Sequence, residues 1–142
     1  MNKIFFDTNI LLDILIPDRP NHNLAIKALL KVGQKYDILS TSEDILTTIE
    51  YIATKNKISC EKIYSFFYKL EKNFEIYNFS KILEKSLEIY YKSCQNGNKL
   101  DFEDLLQIQC AIKNSCDVFL TEDRELSKMG FDIEILSLSE VS

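Results

Sequence analysis

Four aspartates stand where carboxylate chemistry is easiest to assemble. Asp7 closes the run of β-formers Ile4-Phe5-Phe6, Asp101 and Asp104 open an amphipathic stretch, and Asp123 stands three residues after Val118-Phe119-Leu120. Residues three apart share a helix face, so Asp101 and Asp104 can address one centre from a first helical turn. Carboxylates brought together in a partly buried place repel unless protons or cations compensate. An all-oxygen donor set with a single histidine in the chain selects a hard ion, Mg²⁺ or Mn²⁺, over zinc or copper. Mg²⁺ keeps several waters and uses only one or two carboxylates, which leaves room for a water and a phosphate. Each acid also has a purely structural reading: Asp101 with Asp104 as a helix cap and its acidic first turn, Asp7 as an Asx turn, Asp123 as the cap of a short helix.

The elements that must hold these acids follow from periodicity and punctuation. A buried strand over residues 4–6 runs into a short helix over 10–16, which Pro17 and Pro20 end. A helix is expected over 23–32, with Gly33 as its stop, then a second strand over 36–39. Ser42 is the expected cap of a helix reaching about Lys55, and Ser59 caps the next, with Ile63, Phe66, Phe67 and Leu70 on one face, so the two form a hairpin. A third strand fits 74–77, Ser80 opens a helix closed by Gln95-Asn96-Gly97-Asn98, and Asp101 begins another with Leu105, Leu106, Ile108, Gln109 and Ile112 towards its buried side. Strands at 118–120 and 133–136 complete an α/β chain with a parallel sheet. In such sheets ligands bind outside the carboxyl ends of the strands, which is where the aspartates fall.

Composition removes other classes. Of 142 residues, 46% are hydrophobic and 27% charged, an ordinary globular balance, and a single domain over 1–142 is expected. The three glycines are too scattered for a dinucleotide fingerprint or a phosphate loop. A net charge of −5 excludes a basic nucleic-acid-coating protein but not a nuclease whose acidic site is offset by bound cations. Cys60, Cys94, Cys110 and Cys116 have no C-x-x-C spacing and lie far from His22, so no zinc site is expected; ordinary buried, reduced cysteines are. Without a long apolar stretch or a cleavage signal, a cytoplasmic location and no membrane contact are expected. His22 reads as a helix-start residue, Lys55 and Lys57 as a solvated helix end with phosphate contact as the alternative, and Tyr64, Phe66, Phe67 and Tyr68 as core or dimer packing.

Three segments also resemble, in order, the three motifs of PIN-domain ribonucleases. They are the opening Ile4-Phe5-Phe6-Asp7-Thr8-Asn9-Ile10-Leu11-Leu12-Asp13, the later Asp101-Phe102-Glu103-Asp104-Leu105-Leu106-Gln107 and the closing Leu120-Thr121-Glu122-Asp123-Arg124. The pattern is similar to the branch of VapC-type toxins. The resemblance implies a PIN-like three-layer α/β/α fold around a parallel sheet of four to five strands. It makes Asp7, Asp104 and Asp123 ligands of Mg²⁺ or Mn²⁺, Asp101 an auxiliary acid and Thr121 the polar residue beside the last of them. It implies RNA hydrolysis to a 5′-phosphate and a 3′-hydroxyl, a homodimer, and an antitoxin protein as partner in a toxin-antitoxin pair. The family's remaining acid falls at Thr48 here, so Glu50 is taken into the catalytic set, with Asp44 or no acid as the alternatives. Two other readings stand beside this one: a catalytically inactive PIN-like scaffold that binds RNA or protein, and a phosphoryl-transfer enzyme with Asp7 as nucleophile.

Overall fold

Alternate side chains of the first strand enter different cores. In β1, Lys3–Phe6, Ile4 and Phe6 join one buried cluster and Phe5 the other, while in β4, Val118–Leu120, Val118 and Leu120 point to the first side and Phe119 to the second. Period-two alternation with both faces apolar is what a parallel sheet covered by helices on both sides requires. The computed structural model describes all residues, Met1–Ser142.

Five parallel strands form one sheet in the order β3-β2-β1-β4-β5, where β2 is Ile38–Ser42, β3 is Phe74–Tyr77 and β5 is Glu134–Leu136. Ile4 pairs with Leu39 on one side and Val118 on the other. The first core is closed by helices α1 (Thr8–Leu15), α2 (His22–Lys35), α3 (Ile45–Lys55), α4 (Cys60–Asn73) and α8 (Leu138–Val141). The second is closed by α5 (Leu83–Gln95), α6 (Phe102–Lys113) and α7 (Arg124–Ser127). The Phe5 and Phe119 rings stack at 5.4 Å beneath α6, and Phe6 meets Phe74 edge-on at 5.1 Å. The result is a three-layer α/β/α arrangement, as expected. Because the chain runs outward from β1 through β2 to β3 and then returns to place β4 on the other side of β1, the strand order reverses between β1 and β4. That switch point opens a crevice at the carboxyl ends of the two central strands.

Several boundaries differ from expectation. Gly33 does not stop α2; it stays right-handed and the helix continues to Lys35, ending where Tyr36 turns extended and its N–H bonds to Val32 O. The second strand therefore begins at Ile38 and runs on through Ser40, Thr41 and Ser42, all fully buried. Three polar residues read as a loop, yet Ser40 Oγ donates to Ile4 O and Thr41 Oγ1 to Phe6 O, both at 3.0 Å, so two of these hydroxyls are satisfied inside the sheet. Ser42 is thus strand, not cap, and α3 starts after Asp44 without a side-chain cap. Ser80 does not open α5, which begins at Leu83 after Ile82. Ser59 does cap α4, accepting from Lys62 N–H at 3.3 Å. Cys110 and Cys116 are buried, but Cys60 and Cys94 are exposed at the start of α4 and the end of α5. Phe66 and Phe67 pack against the first core, whereas Tyr64 and Tyr68 stand exposed on α4.

Candidate acidic site at the sheet edge

Asp7 is the first residue past β1 and the N-cap of α1. Its backbone N–H extends the sheet ladder to Leu120 O at 3.2 Å, and its Oδ1 accepts from Ile10 N–H at 2.9 Å. Its Oδ2 accepts from Thr121 Oγ1 at 2.5 Å, and the same Thr121 oxygen accepts the Asp123 backbone N–H at 3.1 Å. Asp7 is 2% exposed. Burial pushes its carboxyl up to about 7; the bonds from Thr121 and Ile10 oppose this, while Asp13 and Asp123 add to it.

Asp101 caps α6, its Oδ1 accepting from Asp104 N–H at 3.0 Å. Asp104, in the first turn of that helix, is partly buried. Burial and then four carboxylates in turn, Asp7, Asp101, Asp123 and Glu103, push its carboxyl up to about 8. Asp123 caps α7 through a 3.0 Å bond from Glu125 N–H. The structural roles anticipated for these aspartates are therefore real, yet the caps also leave Asp7, Asp101 and Asp123 close enough to Asp104 to raise its carboxyl. No lysine or arginine is among the leading influences on Asp7 or Asp104. An all-oxygen group short of positive charge suits a hard divalent cation. No three His, Cys, Asp or Glu side chains are gathered tightly enough to enclose an ion by themselves. That suits an ion that keeps waters.

Glu50 does not join this group. In α3, Ile45, Ile49 and Ala53 face the core, and Glu50, about 100° further round from Ile49, is exposed. It accepts from Thr54 Oγ1 at 3.3 Å and lines a shallow groove with Ile63, Tyr64 and Phe67. The expectation that Glu50 supplies the remaining acid is corrected by this helix phase. Thr48 is partly buried, and Asp44 lies at the β2–α3 junction, partly buried, with Oδ1 lacking any partner. Burial raises the Asp44 carboxyl, Ser42 opposes that and Glu103 of α6 adds to it, so Asp44 is the acid of this segment that faces the α6 side.

Sequence reasoning passed over a second polar layer. Thr8 Oγ1 donates to Glu103 Oε1 at 2.6 Å, and Gln107 Nε2 donates to Thr8 Oγ1 at 3.1 Å and to Ser42 Oγ at 3.4 Å. Only the position of Gln107 three residues after Asp104 hinted that it shares the acidic face. Behind the site, the buried Asp13 holds Arg19 at 2.7 Å and its carbonyl meets His22 Nδ1 at 2.7 Å, so His22 is a helix-start residue tied to α1. Lys55 and Lys57 are exposed at the end of α3.

Comparison with known proteins agrees with the fold. The PIN domain model matches residues 4–132. Ribonuclease VapC1 of Aquifex aeolicus is 33% identical over 139 residues, covering 97% of this chain and 92% of that protein. Among solved structures, VapBC2 from Rickettsia felis bound to a promoter DNA fragment superposes with a TM-score of 0.73 at 17% identity, over 95% of this chain and 98% of that one. VapC20 of Mycobacterium tuberculosis, described as a sarcin-ricin loop cleaving toxin, gives 0.71 at 16% identity over 90% and 95%. Those two likenesses concern the fold; the family model and the Aquifex relative concern descent. With the motif acids gathered at the switch point of its sheet, the chain belongs to the PIN domain family.

Proposed function

We propose that this protein is a metal-dependent endoribonuclease that hydrolyses RNA phosphodiester bonds, acting as the toxin of a toxin-antitoxin pair. The observation that carries the reading is Asp104, whose carboxyl is raised first by burial and then by the four neighbouring carboxylates of Asp7, Asp101, Asp123 and Glu103. Asp7, Asp104 and Asp123 would hold Mg²⁺ or Mn²⁺. Bound there, the ion supplies charge compensation for a phosphate and acidifies water for attack on phosphorus. Asp7 is held in one orientation by Ile10 and Thr121, so its carboxylate presents a fixed face to the crevice. Asp101 stands one turn before Asp104 and orients water or substrate from the rim.

An antitoxin protein is the partner proposed from the named relatives, whose solved assemblies include VapBC2 of Rickettsia felis. An apolar groove of about 840 Å³ between α1, α2 and α4, lined by Leu15, Leu29, Tyr36, Phe66, Leu70 and Phe74, supports such a partner. No helix is long and apolar enough to cross a membrane, and action on cellular RNA as a homodimer in the cytoplasm fits this reading.

The test is incubation of the purified protein with a structured RNA in MnCl₂, in MgCl₂ and in EDTA, followed by analysis of the new ends. The expected result is internal cleavage with 5′-phosphate and 3′-hydroxyl ends in either metal and none in EDTA. Cleavage undiminished by EDTA overturns the metal assignment, and RNA binding without cleavage in any condition replaces the nuclease with the scaffold reading.

A further inference from the structure

We infer that Gln107 is the residue that sets how far Asp104 stands from Asp7, acting through Thr8 and Glu103; the inference rests on the metal-dependent reading above. Gln107 follows Asp104 by one helical turn and is wholly buried, between the buried Leu105 and Ile108. Its Nε2 donates to Thr8 Oγ1 at 3.1 Å, and the Thr8 hydroxyl donates in turn to Glu103 Oε1 at 2.6 Å. Thr8 is the neighbour of Asp7 and Glu103 the neighbour of Asp104. The chain of bonds therefore leaves α6, clasps the first residue of α1 and returns to α6, bridging the two elements that carry the two most perturbed acids. A second bond from Nε2 to Ser42 Oγ at 3.4 Å fixes the clasp to the end of β2.

Stability does not explain an amide here. Its Oε1 has no partner, and a buried, half-satisfied amide costs free energy that an apolar side chain of the same length would not. Nor is its orientation arbitrary. The one Thr8 hydroxyl proton is committed to Glu103, so the Thr8 oxygen can only accept, and only the NH₂ end of Gln107 can serve it. What the amide does uniquely is tie α6 to the Asp7-Thr8 corner against the repulsion between Asp104 and Asp7. Gln107 touches neither metal nor substrate; it is a positioning residue whose loss lets the two carboxylates spread and weakens ion binding.

The experiment is a thermal-shift titration of EDTA-treated full-length protein with MnCl₂ alone, comparing wild type with Gln107→Met, Thr8→Val and Thr8→Ser. Gln107→Met and Thr8→Val break the clasp and should raise the Mn²⁺ concentration at half-maximal shift about tenfold, which is ~1.4 kcal/mol of binding. Gln107→Met should keep the metal-free Tm within about 3 °C of wild type. Thr8→Ser, which keeps the hydroxyl, should restore the wild-type midpoint. If Gln107→Met fails to fold, the Thr8→Val and Thr8→Ser pair decides alone. A wild-type midpoint in both clasp-breaking variants, with wild type itself responding to Mn²⁺, overturns the role of Gln107. A wild type that shows no Mn²⁺ shift overturns instead the metal-dependent reading on which it rests.

Discussion

Thr121 gives its hydroxyl proton to Asp7 Oδ2 at 2.5 Å and accepts the Asp123 N–H at 3.1 Å on the same oxygen, so one side chain joins the carboxylate beyond β1 to the one beyond β4. The bond also opposes the rise that burial imposes on Asp7. Removing it in Thr121→Val should push the Asp7 carboxyl above 7 and cut RNA cleavage at neutral pH and limiting Mn²⁺ by about tenfold, the scale of one hydrogen bond to a charged group. The alkaline displacement of the pH–rate profile is the check. Thr121→Ser should retain the wild-type profile.

The metal-free protein should lose stability as pH rises. Asp7 and Asp104 sit at about 7 and about 8 in the folded chain against 3.8 when unfolded, so between these values the folded state binds more protons than the unfolded one. Stability then falls with pH: the contribution is fully present below about pH 4 and is lost as pH climbs through 7 to 8. Melting in EDTA from pH 5 to 8.5 should show a declining Tm, and the gain on adding MnCl₂ should grow over the same range. A flat EDTA series would contradict the burial of unrelieved charge at these two residues.

Glu50→Gln should leave cleavage and the Mn²⁺ midpoint at wild-type values, because Glu50 is exposed on α3 beside Thr54. Asp44→Asn should weaken both several-fold, since Asp44 faces the α6 side and feels Glu103. The reverse pattern, measured in the same cleavage assay, would return Glu50 to the site.

Asp101 carries two roles that one pair of substitutions separates. Asp101→Ala removes the acceptor for Asp104 N–H and should cost about 1 kcal/mol of stability, whereas Asp101→Asn keeps an acceptor and should cost a few tenths. Both should slow cleavage. Equal rates for wild type and Asp101→Asn would leave this residue a cap and nothing more.

The strands and the aspartates were legible because their signals are local: apolar runs that stop at Asp7 and Leu120, and an Asp101-Phe102-Glu103-Asp104 start that reads the same as cap and as site. The extent of the second strand was not, because the hydroxyls of Ser40 and Thr41 are satisfied only by carbonyls that β1 supplies. Glu50 falls outside the group because Ile45, Ile49 and Ala53 set the inward face of α3, and a residue one position on from that face is turned away by about 100°. The Gln107 clasp was invisible for the same reason as the strand hydroxyls: its partners Thr8 and Ser42 are distant in sequence.

Asp104→Asn tests the account at its centre, because an amide preserves size while removing the charge that Asp7, Asp101, Asp123 and Glu103 oppose. Circular dichroism of the variant should match wild type, its metal-free Tm at pH 8 should be equal or higher, and RNA cleavage in MnCl₂ should fall by at least a hundredfold. A folded Asp104→Asn protein that cuts RNA at the wild-type rate would contradict the assignment of the acidic crevice as the active site.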